Sequence, residues 1–372
     1  MAIRDSGLLF DVTTRLALFV ENIKLGQMAE FNSVLSAVDE ELRKLLGRVN
    51  YKTLDGLSKA ELNKLLVALR RSQLRIYSAY TEKLIKSLQE FMQLRLDVSA
   101  VAYGSLKWNF QHLPGDEPFT QANFKQLDEE SAYAFIAAQS ERETFVPLFG
   151  LASILSAGKL WSTIKNAPIP ANGLYMLPFI QTFARSAQAS TENVIRRAYA
   201  NRQTVAETLA ELTGQRTVQG HSTQLAKIRN QANAVIETAF AHVDQISGAA
   251  IVSAIFARYQ WVSVIDGHTT QFCIDHDGRV FRYGAGPIPP AHYKCRSITV
   301  PLASMFDDFK PPTLYAWLRR QPRSVQAEFV GKEAAALLSS GQLSSKDFAN
   351  LVVGVPMKLN QFKSKLGLIL SI

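Results

Sequence analysis

The chain holds two cysteines among its 372 residues, and each stands beside a histidine at the same offset. Cys273-Ile-Asp-His276 is followed, after fifteen residues, by the mirrored run His292-Tyr-Lys-Cys295. Two donors separated by two residues can grip one ion from a single turn, and zinc favours four sulfur or nitrogen donors in a tetrahedron. Gly278 follows the first pair closely, where a knuckle needs a residue tolerant of tight backbone geometry. Pro287, Pro289 and Pro290 stiffen the loop that returns the second pair. Cys273, His276, His292 and Cys295 are therefore the candidate ligands of a structural zinc. The plainer alternative is two reduced cysteines and two ordinary surface histidines.

Catalytic zinc keeps an open position beside three protein ligands, so two complete pairs describe a closed site. No other stretch carries an enzyme signature. Neither H-E-x-x-H nor the deaminase pair H-x-E with P-C-x-x-C occurs. Gly158-Lys159 is followed by Leu160 and Gly331-Lys332 by Glu333, so neither is a phosphate loop. Asp266, Asp275 and Asp277 fall near the histidines, where a nuclease metal is conceivable. Asp277 before Gly278 reads more simply as a turn residue, and Asp266 as a strand end. The expectation is a chain that is not an enzyme.

These residues need a frame, and the composition sets its class. Hydrophobic residues at 47% and charged residues at 20% exclude a mostly disordered chain. Two cysteines exclude a disulfide framework and favour a reducing site of synthesis. The opening residues lack the basic, apolar and small-residue regions of a signal peptide. The uncharged stretches 145–158 and 246–257 are too short for a membrane span, and 166–184 carries Asn, Gln and three prolines. No resident span is expected. Lys and Arg number 41 against 32 Asp and Glu, and that excess of +9 suits a polyanionic neighbour.

Periodicity supplies the elements. Met28, Phe31, Leu35, Val38, Leu42, Leu45 and Val49 step by three and four, a coiled-coil-like stripe. Asp55-Gly56 breaks it, and Ser58-Lys-Ala-Glu61 is a capping box that restarts a helix. Thr204-Val-Ala-Glu207 is a second capping box, and residues 222–259 form another long helical pattern. From Trp261 the texture changes: residues 261–265, 279–283 and 297–300 read as three short strands. The expected fold is mainly α, with a long N-terminal helical hairpin, a helical bundle and a small antiparallel β zinc-knuckle subdomain near residues 261–301. The expected order is a hairpin over 1–113, a helical connector over 114–172, a knuckle-bearing domain over 173–303 and a helical extension over 304–372.

The knuckle segment also carries a resemblance. Trp261-Val-Ser-Val-Ile-Asp266, Cys273, Asp277-Gly278-Arg-Val-Phe and Pro289-Pro-Ala-His292-Tyr-Lys-Cys295-Arg296 resemble the phage Mu protein F family. These are minor head, or head morphogenesis, proteins of tailed bacteriophages. Within the family pattern the matching positions are Cys273, His292 and Cys295. His276 stands where the family usually has a second cysteine, and Ser297 where it often has a last one. Residues 315–348 resemble, more faintly, an extension found after this domain in some phage head proteins.

The resemblance implies a structural virion protein, present in several copies inside the head near the portal vertex and made in the host cytoplasm. Its partners would be the portal, other head proteins and packaged double-stranded DNA. An internal protein ejected with the DNA is the alternative, and a metal-dependent nuclease or toxin-like enzyme ranks below both. From Arg185 to Arg229 seven basic residues face three acidic ones. Arg185, Arg196, Arg197 and Arg202 in that stripe are the candidate contacts to phosphates, read without sequence preference. A solvated helix face is the ordinary explanation of such a stripe.

Overall fold

The computed structural model describes residues 6–111, 157–214, 222–256, 258–264, 269–302, 310–348, 353–365 and 368. The expectations placed on residues 112–156, on Asp266 and on Arg216 lie outside these. The described fold is mainly helical with one small antiparallel sheet. Helix α1 spans Ser6–Leu46, α2 Lys59–Gln111, α3 Ala157–Asn166, α4 Met176–Ala200, α5 Val205–Thr213 and α6 Gln224–Ile255. Strand β1 follows over Arg258–Val262, then α7 over Gln271–His276, β2 over Val280–Arg282 and β3 over Ile298–Pro301. Helices α8 (Leu314–Arg320), α9 (Arg323–Ser339) and α10 (Ser345–Phe348) come last. None of the described helices is long and apolar enough to cross a membrane.

Both capping boxes form. Glu61 N–H donates to Ser58 Oγ at 3.2 Å while Ser58 N–H donates to Glu61 at 2.8 Å. Thr204 and Glu207 repeat the exchange at the start of α5. Each box satisfies two N–H groups that the first turn of a helix leaves without an intrahelical partner.

The chain divides into two compact units, each built from discontinuous stretches. Residues 27–87 and 174–239 form one, residues 1–26, 88–173 and 240–372 the other, so the expected 173–303 segment contributes to both. In the first unit Phe31, Leu35, Val38, Leu42 and Leu45 of α1 are all buried, as their spacing implies. Phe31 packs on Tyr80 at 4.8 Å and on Phe183 at 5.7 Å between ring centroids. Arg70 makes a forked contact with Glu192, which also accepts from Arg196 and Gln188. Burial opposes ionisation of Glu192, but these hydrogen bonds outweigh it and hold its carboxyl below the usual range.

In the second unit Phe91 packs on Phe240 at 5.1 Å, and the buried Arg95 and Asp244 pair at 2.5 Å. Phe19 meets Phe329 of α9 at 4.9 Å, and Trp317 of α8 donates to Asp11 at 2.7 Å. The tail crosses α1 at Asn22, whose carbonyl accepts from Met357 N–H and whose side chain accepts from Val355 N–H. Gly26 permits that approach, because a Cβ there would stand 2.1 Å from the Met357 carbonyl oxygen.

Helix α6 ends at Ile255 and the chain turns extended three residues before the expected strand start. Val252, Phe256 and Tyr259 continue the apolar spacing of the helix, so periodicity alone carries the helix too far. Pairing decides otherwise. Strand β1 is central in the order β2-β1-β3, with Tyr259 opposite Phe281 on one side and Pro301 on the other. Gln245 of α6 accepts from Thr299 of β3 at 3.1 Å, which ties helix to sheet.

His242 of α6 is buried, its Nε2–H donating to the Ile164 carbonyl at 3.2 Å while Nδ1 has no partner. Burial holds its imidazole below the ordinary value, with the Ile164 bond opposing. The unfolded chain therefore takes up this proton first as pH falls below ~6.5. The stabilisation is complete above that value and is lost as pH falls towards the folded-state value. Melting temperature followed from about pH 8 down to 5 is expected to drop in this window, and His242→Gln to flatten the drop.

Candidate metal centre

The sheet presents Trp261, fully buried, as the floor of a small cluster whose other members are Cys273 and Cys295. The two thiols are 1% and 4% exposed, and Phe281 and Ala291 pack beside them. Helix α7 delivers Cys273, and the turn after the proline-rich loop delivers His292 and Cys295. Around the cluster Trp261 Nε1–H donates to Ser263 Oγ at 2.8 Å, and Ser263 Oγ donates to the Cys273 carbonyl at 3.0 Å. Ser263 and Ser297 hydroxyls meet at 2.9 Å. Asp277 accepts from Ser263 N–H at 2.7 Å, and Gly278 follows at φ +75°, which is the turn role expected of this pair.

Cys273 Sγ stands 3.2 Å from His292 Nε2 and 3.8 Å from Cys295 Sγ. All three donor atoms lie within 4.8 Å of one another, the one such group of three or more potential ligands among the described residues. Two sulfurs bound at ~2.3 Å to a tetrahedral zinc stand about 3.8 Å apart, so the thiol spacing fits the ion. The histidine is oriented for the same task. Its Nδ1–H donates to the Tyr293 carbonyl at 2.8 Å, which leaves Nε2 with a free lone pair facing the sulfurs. Burial pushes the Cys273 thiol up, and the adjacent Cys295 adds to the shift while the Ser297 and Thr270 hydroxyls oppose it. A thiol so placed resists ionising alone, and a bound cation would offset that cost for Cys273.

His276 does not join the group. It lies one helical turn from Cys273 on α7, with its Nδ1–H donating to the Phe272 carbonyl at 2.8 Å. Its ring stacks on Phe272 with centroids 3.9 Å apart, and Phe281 lies 5.8 Å off. The four-ligand closed site expected from spacing is thus represented by three side chains. Asp275 accepts from Gln271 at 2.7 Å and stands outside the group as well.

The candidate phosphate-binding arginines are largely engaged with carboxylates. Arg196 pairs with Glu192 at 2.6 Å, Arg197 with Glu211, and Arg202 with Asp55 at 3.6 Å. Arg185 is exposed on α4. The Arg196–Glu192 pair is legible from its four-residue spacing, whereas the Arg70 fork on the same carboxylate is not. The Ser263–Ser297 contact also escapes sequence reasoning, because neither serine sits in a recognisable pattern.

No family model, curated protein or solved structure matches the chain.

Cys295→Ser removes one of the three donors. Metal affinity is expected to fall by more than the ~10–100-fold caused by losing a group that merely orients a ligand. Amide hydrogen exchange should quicken across residues 258–262, 271–282 and 298–301, and stay unchanged in residues 27–87 and 174–239. Mass spectrometry of exchanged peptides reads both regions in one experiment.

Proposed function

We propose that this chain is a structural head protein of a tailed bacteriophage, of the minor head or head morphogenesis kind, with a small metal-stapled module in its second compact unit. One observation carries the reading. The positions that the phage resemblance transfers to this chain are Cys273, His292 and Cys295, and these are the three side chains that converge. The two positions where the chain departs from the pattern, His276 and Ser297, lie beside the cluster in other roles. Convergence of the shared residues, with the divergent ones reassigned, supports a common module and not a chance match of spacing.

In this reading zinc, bound by Cys273, His292 and Cys295, ties α7 to the turn before β3. The ion supplies a cross-link to a sheet too small to stand alone. The chain itself supplies the buried floor at Trp261 and the fixed tautomer at His292. The protein works as a part of the particle, inside the head near the portal vertex, in several copies and without turnover. Arg196, Arg197 and Arg202 each have a carboxylate partner, so the reading rests on the metal module and not on a basic stripe.

Mass spectrometry of purified particles from a phage encoding this chain should find it in the head at a constant copy number. It should remain in capsids emptied of DNA. Loss from emptied capsids would point to an ejected internal protein, and absence from particles would overturn the structural role.

A further inference from the structure

We propose that Cys273 and Cys295 form a reversible two-electron couple. Under an oxidising disulfide they join as an intrachain cystine, which closes the same segment as the ion and excludes it. The couple stands on the sulfur geometry alone. The exclusion of the ion, and where each form prevails, rest on the readings above.

The two thiols have no rival, because they are the only cysteines among the 372 residues. Both are free, and their Sγ atoms stand 3.8 Å apart although the residues are 22 positions apart in the chain. A disulfide bond is ~2.0 Å long, so roughly 2 Å of approach joins them. Cys295 lies outside helix and strand, between a turn and β3, so that approach breaks no element. At 1% and 4% exposure neither sulfur is presented to a second chain. The partner of each is therefore the other.

The surroundings suit the oxidised form. Trp261, Phe281 and Ala291 pack about the sulfurs, and a cystine brings no charge and no hydrogen-bond donor into that apolar setting. It joins α7 to the turn before β3, closing a loop across a sheet of three short strands. Zinc needs the thiolates as donors, and the cystine removes both. One place thus takes either of two staples, an ion while the thiols are reduced and a cystine once they are not. In the proposed function the chain leaves a reducing cytoplasm in released particles, where the cystine prevails. The step is thiol–disulfide exchange with a small disulfide such as oxidised glutathione. One protein thiolate attacks a glutathione sulfur, the glutathione S–S bond breaks, and one reduced glutathione leaves a mixed disulfide behind. The second protein thiolate attacks the protein sulfur of that mixed disulfide, and the second glutathione leaves. The pair gives up two electrons to glutathione disulfide, and the two thiol protons end on the two glutathiones.

The test equilibrates the full chain, stripped of metal by a chelator, in glutathione buffers of graded [GSH]²/[GSSG]. Acid-quenched samples are weighed by intact mass spectrometry, which reads the loss of two hydrogens, and the series is repeated in urea. The native chain should be half oxidised at a [GSH]²/[GSSG] about tenfold or more above that of the unfolded chain, because the fold already holds the sulfurs together. An equal or lower native midpoint, glutathione adducts in place of the internal bond, or chain-to-chain dimers would overturn the couple. Zinc should bind the reduced chain and not the oxidised one, and a cystine form that still takes up one zinc would overturn the exclusion. A reduced chain that takes up no zinc ends the metal reading, while the shifted midpoint still supports the couple.

Discussion

Three strands of five, three and four residues cannot bury enough surface to hold themselves, and everything near residue 260 answers to that shortage. Trp261 supplies the largest apolar side chain in this module, and it is covered by two cysteines that come from opposite ends of a loop. Cys273 arrives on a short helix and Cys295 on a turn, so their meeting closes the segment between β1 and β3. The buried Cys273 thiol is a poor end point by itself, since burial and the adjacent Cys295 disfavour its thiolate. A cation at their centre turns the same proximity into a cross-link. The small sheet, the short helix and the proline-rich loop are then parts of one device.

The module is continuous with the helices that support it. Helix α6 runs almost directly into β1, and the Gln245–Thr299 hydrogen bond fastens the far strand to the same helix. At the other side Asn172, after α3, donates to the Tyr293 hydroxyl next to His292 at 3.1 Å. Residues flanking both candidate ligand segments are thereby anchored within one compact unit. The unit of residues 27–87 and 174–239 uses different means. Its aromatic cluster of Phe31, Tyr77, Tyr80 and Phe183 is joined by a carboxylate, Glu192, that gathers two arginines and a glutamine.

Much of this is legible from residue order. The helical stripe from Phe31 to Leu45, both capping boxes and the three strands follow from local spacing, where each residue's role depends on close neighbours. The paired cysteine and histidine runs likewise point to a cluster of potential metal donors, three of which converge. Their spacing does not say which donors face inward. Phe272, immediately before Cys273, offers His276 a ring to lie on, and the stacked imidazole stands outside the group of three. Strand β1 begins earlier than its alternation suggests because Tyr259 is buried between two partner strands, a fact of pairing and not of periodicity. The Arg70–Glu192 fork joins residues far apart in the chain, beyond what helical spacing reaches.

The central claim is that Cys273, His292 and Cys295 hold one metal ion. Zinc-edge X-ray absorption on the purified full chain, together with elemental analysis, addresses it most directly. The expected result is one zinc per chain, with two sulfur scatterers at ~2.3 Å and the remaining donors nitrogen or oxygen near ~2.0–2.1 Å. A chain purified under reducing conditions without stoichiometric metal, or with a metal shell lacking sulfur, would contradict it.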